Sequence, residues 1–152
     1  MTSRSINGTA ELKKLVGRHL GYSEYETITQ EQVNIFADAT GDHQWIHIDV
    51  ERATAGPFGG PIAHGYLTLS LGPVLLPQIF TVSGFSMGVN YGCNKVRFPS
   101  PVPVGSSLRA GVKLLNVEEI ANGVQVTLET TFEVKDSAKP SCVAEVIFRY
   151  YV

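Results

Sequence analysis

Residues 64–80 read HGYLTLSLGPVLLPQIF, and this stretch decides the fold of the chain. It holds no Asp, Glu, Lys or Arg, and its apolar side chains fall on every side of a helical wheel. A helix of that kind is buried all round, whereas a strand of the same length would be unusual. Pro73 and Pro77 each lack a backbone donor, so we expect them to bend or end the helix.

The second half of the chain predicts long strands that can cover this helix. From Gly123 to Lys135, apolar residues and Thr at even positions alternate with polar residues at odd positions, which is typical of a strand with one buried face. The other candidate strands are Ser141–Val152, Ser106–Val117, Gly84–Phe98 and Arg18–Thr27. We therefore expect an α+β fold in which a curved antiparallel sheet wraps around one long buried helix. One small sheet covers such a helix incompletely, so we also expect a homodimer.

The region before the buried helix predicts one short helix followed by a long loop. Thr29 and Gln32 have the spacing of a capping box, and the apolar residues behind them share one helical face. This pattern predicts a helix from about Gln30 to Ala39, which Gly41 ends. Residues 42–63 contain Gly-Pro and Gly-Gly-Pro sequences, so we expect most of that segment to be loop.

The composition is that of one globular domain, and we expect residues 1–152 to form it. Hydrophobic residues make up 43% of the chain, charged residues 17%, and the formal net charge is -2, which disfavours nucleic acid as a partner. No apolar run is long enough to span a membrane, and the polar first residues do not resemble a signal peptide. Cys93 and Cys142 lack the spacing of a zinc site or a disulfide framework. We therefore expect a cytoplasmic protein with reduced thiols and no membrane partner.

The residues with the clearest chemical potential are Asp42 and His47, which follow the predicted helix end in a loop. A carboxylate and an imidazole at one point can act as a general acid/base pair, since one can take a proton as the other gives one. Two other interpretations stay open at this point. Asp42 could be a loop cap beside a hydrogen-bonded histidine, or a metal could bind Asp42, His43, His47 and Asp49, although their spacing matches no strong metal signature.

The second chemical feature is the start of the buried helix at His64 and Gly65. The first backbone N–H groups of a helix have no intrahelical partner, and the helix dipole makes that end positive. Gly65 allows a ligand to approach the backbone closely. A carbonyl oxygen that gains negative charge could therefore be stabilised here, as in an oxyanion hole.

Three segments in this order and spacing resemble one known family. They are residues 39–49 (ATGDHQWIHID), residues 61–65 (PIAHG) and residues 95–105 (KVRFPSPVPVG). Together they resemble the MaoC-like, (R)-specific enoyl-CoA hydratases with the hot-dog fold, and most of all the single-domain, NodN-like bacterial branch. The resemblance extends from about Gly17 to Val152.

This resemblance implies a site and a reaction. The family's catalytic pair corresponds to Asp42 and His47, and its oxyanion donor corresponds to the backbone N–H of Gly65. We also place the adjacent His64 among the oxyanion and substrate-binding residues. Gln44 and Trp45 stand where the family has Asn and Pro, so we also place them among the substrate-binding residues, where they bear on chain-length preference. The implied reaction is reversible hydration of a trans-2-enoyl thioester to an (R)-3-hydroxyacyl thioester. We expect no metal and no cofactor, because coenzyme A, or acyl carrier protein in its place, is part of the substrate.

Two other functions remain alternatives for a chain of this fold, because fold alone does not determine the reaction. The first is an acyl-CoA thioesterase. Such an enzyme usually carries its acidic residue on the buried helix, but no residue from Tyr66 to Phe80 is acidic. The second is a non-catalytic binding subunit of a dehydratase complex, which we would expect to have lost the Asp/His pair.

Overall fold

A computed structural model describes residues 3–152 and contains a six-stranded antiparallel sheet. The strands are β1 (Arg4–Asn7), β2 (His19–Tyr22), β3 (Glu26–Thr27), β4 (Phe80–Ser83), β5 (Met87–Arg97), β6 (Ser107–Ile120), β7 (Gly123–Val134) and β8 (Cys142–Tyr151). The six-stranded sheet has the order β2-β6-β7-β8-β5, and the short β3 also pairs with β6. A separate two-stranded parallel sheet joins β1 to β4.

The strands predicted in the second half of the chain are confirmed, whereas the predicted strand Arg18–Thr27 forms two short strands, β2 and β3. In β7, the even-numbered residues from Val124 to Phe132 are buried, and the odd-numbered residues between them are partly exposed, because side chains alternate across a sheet. The turn between β6 and β7 places Asn122 at a φ of 61°, in the left-handed region that Asn tolerates. The pairing of β1 with β4 was not predicted, since strands this short show too little alternation to be read.

The apolar stretch forms a broken helix, as its prolines predict. It consists of α5 (Gly65–Ser70), α6 (Gly72–Leu75) and a 3₁₀ turn (Leu76–Gln78). Leu67 and Leu75 belong to the same buried cluster as the inner face of the sheet. The prediction of one long helix buried on every side is wrong, because Tyr66 is 73% exposed and Val74 is 53% exposed. The sheet covers only one side of the broken helix.

The segment before it contains more helix than we predicted. Helix α2 (Gln30–Thr40) is confirmed: the Thr29 side chain accepts a hydrogen bond from Gln32 N at 3.1 Å, and Gly41 ends the helix. The loop prediction for residues 42–63 is wrong in part, since α3 (Trp45–Ile48) and α4 (Val50–Thr54) lie within it. Each is shorter than a window in which helical periodicity can be recognised. Helix α1 (Gly8–Lys14) precedes the sheet.

Cys142 is buried in β8, Cys93 is exposed on β5, and both are free, as expected. Among residues 3–152, no helix has the length and apolar character needed to cross a membrane.

Candidate active site

The end of α2, helix α3 and the start of α5 bring Asp42, His47 and His64 together. Asp42 follows the left-handed Gly41 that ends α2. His47 lies on α3, which is held against α2 by the Gln30 side chain donating to His47 O at 2.8 Å. His64 is the residue that precedes the first turn of α5. Residues distant in sequence thus meet where three helix ends converge.

His47 has a defined neutral form. Its Nδ1 lies 2.7 Å from the backbone oxygen of Ile62. A carbonyl oxygen only accepts hydrogen bonds, so Nδ1 carries the proton and Nε2 presents a lone pair. Burial has the largest effect and lowers the pKa of His47, whereas the hydrogen bond to Ile62 raises it. His64 lowers this pKa and Asp42 raises it, and the net effect is a lowered pKa. The His47 ring is therefore a neutral base at pH 7.

The lone pair of His47 faces the carboxylate of Asp42. The distance from His47 Nε2 to Asp42 Oδ2 is 4.0 Å, which is too long for a direct hydrogen bond. A water about 2.8 Å from both atoms fits this gap. The Asp42 side chain is 52% exposed and that of His47 is 8% exposed, so the pair has one face in solvent and one in the protein.

These three side chains line the mouth of a cavity of about 510 Å³. Gly65, whose N–H begins helix α5, is part of the same lining. Four further residues of the lining were not singled out from the sequence: Phe36, Thr40, Tyr66 and Phe98. Phe98 lies within the third family-like segment, residues 95–105, and that resemblance could have identified it as a residue of the site. Thr40 lies within the first family-like segment, residues 39–49, so the same resemblance covers it. Phe36 lines the cavity from α2, where the helical pattern predicted only packing.

The structure does not bring Gln44 and Trp45 into this cavity, as the lining within the described residues omits both. Gln44 precedes helix α3, and its N–H lies 3.4 Å from Asp42 Oδ1. Trp45 turns away and packs on Arg52, whose guanidinium lies 4.3 Å from the ring centroid. Their expected substrate-binding role therefore has no support from the lining. Both residues shape the loop that carries Asp42 and His47.

Asp42, His47 and His64 also offer one possible metal-ligand atom each, all within 4.8 Å of one another. This set differs from the one considered from sequence, because His43 pairs with Asp38 at 2.9 Å and Asp49 caps α4 by accepting from Arg52 N at 3.1 Å. Each buried imidazole uses one nitrogen on a backbone carbonyl, which leaves its other nitrogen for a proton or a metal ion. The arrangement can act chemically as an acid/base pair, and the carbonyl contacts do not exclude a metal ion.

The chain is similar to known proteins over nearly its whole length. Residues 11–135 match the family described as MaoC-like domain. The chain is 59% identical over 148 residues to the 3-hydroxyacyl-thioester dehydratase Z of Mycobacterium tuberculosis, covering 97% of this chain and 98% of the relative. It is 41% identical to Nodulation protein N of Rhizobium leguminosarum bv. viciae, covering 91% of this chain and 88% of the relative.

A solved structure shows the same architecture. The (R)-hydratase from A. caviae involved in PHA biosynthesis superposes with a TM-score of 0.72 and 26% identity, covering 88% of this chain and 94% of that one. The expected hot-dog fold is thereby confirmed. With a family match over most of its length and relatives this similar, the chain belongs to the MaoC-like domain family.

Proposed function

We propose that this protein is an (R)-specific enoyl-thioester hydratase, which adds water reversibly to trans-2-enoyl thioesters and forms (R)-3-hydroxyacyl thioesters. The carrying observation is the Asp42/His47 pair, whose facing atoms lie 4.0 Å apart with His47 held as a neutral base. The M. tuberculosis relative is named for dehydration of 3-hydroxyacyl thioesters, which is the reverse of the same reaction. Because a catalyst accelerates both directions, one site serves hydration and dehydration.

The pair can move both protons of the reaction. His47 Nε2 accepts a proton from the bridging water as the water oxygen bonds to C3 of the substrate. The electrons of the C2–C3 double bond move toward the thioester oxygen, giving an enolate. That enolate takes a proton at C2 from the Asp42/His47 pair, which returns to its starting protonation state. Atoms and charge balance with no cofactor, and we propose that none is used beyond the coenzyme A or carrier protein of the substrate.

The developing enolate oxygen needs a donor, and we assign this role to the N–H of Gly65. It lies at the first position of helix α5 and lines the same cavity as the acid/base pair. An N–H at that position has no carbonyl one turn earlier to bind. One such donor is typically worth about 2.7–4 kcal/mol in the transition state. The thioester would thus lie between the start of α5 and Asp42.

A second cavity offers space for the acyl chain. It has a volume of about 760 Å³ and lies between the broken helix and the inner faces of β5, β7 and β8. Tyr66 lines both cavities, so the two adjoin at this residue. The prolines that break the helix, Pro73 and Pro77, also line the second cavity. We propose that the apolar tail of the substrate extends past Tyr66 into this space.

The proposal is tested by a hydration assay with the purified protein. Crotonyl-CoA and longer trans-2-enoyl-CoAs should lose the absorbance of the conjugated thioester, and the product should be the (R)-3-hydroxyacyl-CoA. Addition of EDTA should leave the rate unchanged. A protein that hydrates no enoyl thioester, whether on coenzyme A or on acyl carrier protein, would contradict the proposal and favour the binding-subunit alternative. Free thiol released from acyl-CoA would indicate a thioesterase instead.

The rate of hydration should fall in acid with a midpoint below pH 6.5. His47 acts as a base only when neutral, and its pKa lies below the ordinary 6.5 because of burial. The base is therefore available at pH 7 and is lost as pH falls through that lowered pKa. The measurement is kcat/KM for crotonyl-CoA between pH 4.5 and 8. A midpoint at or above pH 6.5 would contradict the assignment of neutral His47.

We also propose that the working form is a homodimer joined along β5. This strand is the free edge of the sheet, and Met87, Val89 and Tyr91 are exposed on it. An exposed apolar edge is a template for pairing with another strand. Tyr66 and Val74 continue the apolar surface on the broken helix. A second copy that pairs there would cover the side of the helix that one sheet leaves open.

Light scattering should give twice the 16.5 kDa mass of one chain at micromolar concentration. Val89→Lys should shift the protein toward the monomer, since it places a charge in the proposed interface. Val16→Lys is the matched control, because Val16 is also exposed but adjoins Gly17, which bonds to β6 near the opposite sheet edge. A monomeric wild type, or identical masses for both variants, would refute pairing along β5.

We also propose that the protein is located in the cytoplasm. Both cysteines are free, and Cys93 is exposed, which suits a reducing compartment.

A further inference from the structure

His64 is a buried titratable residue that the mechanism above does not use. It is 3% exposed, and it lies beside both members of the acid/base pair. Its Nε2 is 3.0 Å from the backbone oxygen of Asp42, so Nε2 carries a proton and donates it there. Its Nδ1 is buried and has no hydrogen-bond partner among residues 3–152. An unpaired buried polar atom costs about 1–3 kcal/mol of stability, so burial of His64 is unfavourable unless the residue has a function.

The bond to Asp42 O fixes the loop that carries the catalytic carboxylate. Within the described part of the chain, the other two hydrogen bonds of Asp42 are both 3.4 Å long, from its N–H to Thr40 Oγ1 and from Gln44 N–H to its Oδ1. The His64 bond is shorter and comes from a buried side chain. It is thus the strongest attachment of residue 42 to the body of the protein.

The ring of His64 also packs on the catalytic imidazole. The centroids of His47 and His64 are 3.9 Å apart at an interplanar angle of 27°, which is a stacked arrangement. Phe36 contacts the same ring of His64, at 4.8 Å between centroids. The stack limits rotation of His47 away from Ile62 O, so Nε2 stays directed at Asp42.

We infer that His64 is a positioning residue, which holds the Asp42 backbone through Nε2–H and the His47 ring through stacking. This inference rests on the proposed function and adds a role to a residue that the resemblance placed only beside the oxyanion donor.

Two substitutions separate the contributions of His64. His64→Phe keeps a ring for stacking and removes the donor to Asp42 O. His64→Gln keeps an amide donor with similar reach and removes the stack. His43→Gln is the matched control, since His43 adjoins Asp42 but is exposed and pairs with Asp38.

We expect His64→Phe to lower kcat about 10- to 100-fold, because small misplacement of a catalytic group has effects of this size. KM should change less than threefold, and His64→Gln should recover part of the kcat lost in His64→Phe. The titratable groups that face His47 are Asp42 and His64, and His64 lowers the pKa of His47. Both variants should therefore shift the acid midpoint of kcat/KM to higher pH. The control should keep wild-type kcat and pH profile. Wild-type kcat with an unmoved acid limb in both variants would overturn the inference.

A measurement without substrate distinguishes failure of this inference from failure of the proposed function. Nitrogen NMR of the imidazoles reports the tautomer and titration of His47 directly. The wild type should show His47 with Nδ1–H and a midpoint below pH 6.5, and His64→Gln should raise that midpoint. An unchanged His47 titration in a folded His64→Gln variant would overturn the positioning role, whatever the protein catalyses. Thermal unfolding of each variant shows which of them are folded.

Discussion

Asp42→Asn is expected to lower kcat for enoyl-thioester hydration by about 10²–10⁴-fold, the range that general acid/base groups contribute. Asn has nearly the same shape as Asp, but its amide cannot take up or release the proton that the reaction moves. The side chain of Asp42 is 52% exposed, and its substitution removes no buried contact. The thermal midpoint should therefore stay close to that of the wild type. Steady-state kinetics with crotonyl-CoA, alongside thermal unfolding, measures both quantities.

His47→Gln should have a kcat effect of similar size, because it removes the lone pair directed at Asp42. The double variant should be little worse than either single one, since residues that act as a unit are not additive. Asp38→Asn is the matched control: its carboxylate is 78% exposed, and among residues 3–152 its hydrogen bond is to the exposed His43 ring. Near-full activity in Asp42→Asn, or an equal loss in Asp38→Asn, would remove the basis for the acid/base pair.

Most of the fold could be predicted from the sequence because its signals are local. Alternation in β7 and the cap at Thr29 each depend on a few adjacent residues, and both are confirmed. The sequence predicted incomplete cover of the apolar helix by one small sheet, but not which of its residues would be exposed. Apolar side chains on every side of a helix indicate that it must be covered, but they do not show which side its own sheet covers. The structure shows that the sheet leaves Tyr66 and Val74 exposed.

The site was predictable where its residues are neighbours in the chain. Asp42 and His47 lie on one short segment, so their spacing already placed them together. The contact of His64 with Asp42 O joins residues 22 positions apart, and no local pattern reports such a contact. Trp45 was expected to bind substrate because it stands where the family has Pro. Its ring packs against the guanidinium of Arg52, and no local signal in the sequence indicated that contact.

Gly123→Ala should lower the stability of the protein more than substitution of any exposed residue. Gly123 begins β7, where it pairs with Ile120 of β6 and with Tyr151 of β8. A Cβ atom at this position would overlap the carbonyl oxygen of Tyr150. That oxygen belongs to the backbone of a central strand, so the strain cannot be relieved by turning a side chain. Overpacking of this kind costs about 3 kcal/mol, which corresponds to a fall of roughly 6–12 °C in Tm for a chain of this size.

Gly60→Ala is the matched control for that variant. From the described residues, no atom lies within 4 Å of a Cβ at Gly60, and its φ is outside the left-handed region. Its Tm should stay at the wild-type value or rise slightly, because Ala restricts the unfolded chain more than Gly does. Equal Tm values for both variants would show that β7 and β8 can separate at this end without loss of stability. In that case, the stability of the sheet would not depend on close pairing of β7 and β8 at Gly123.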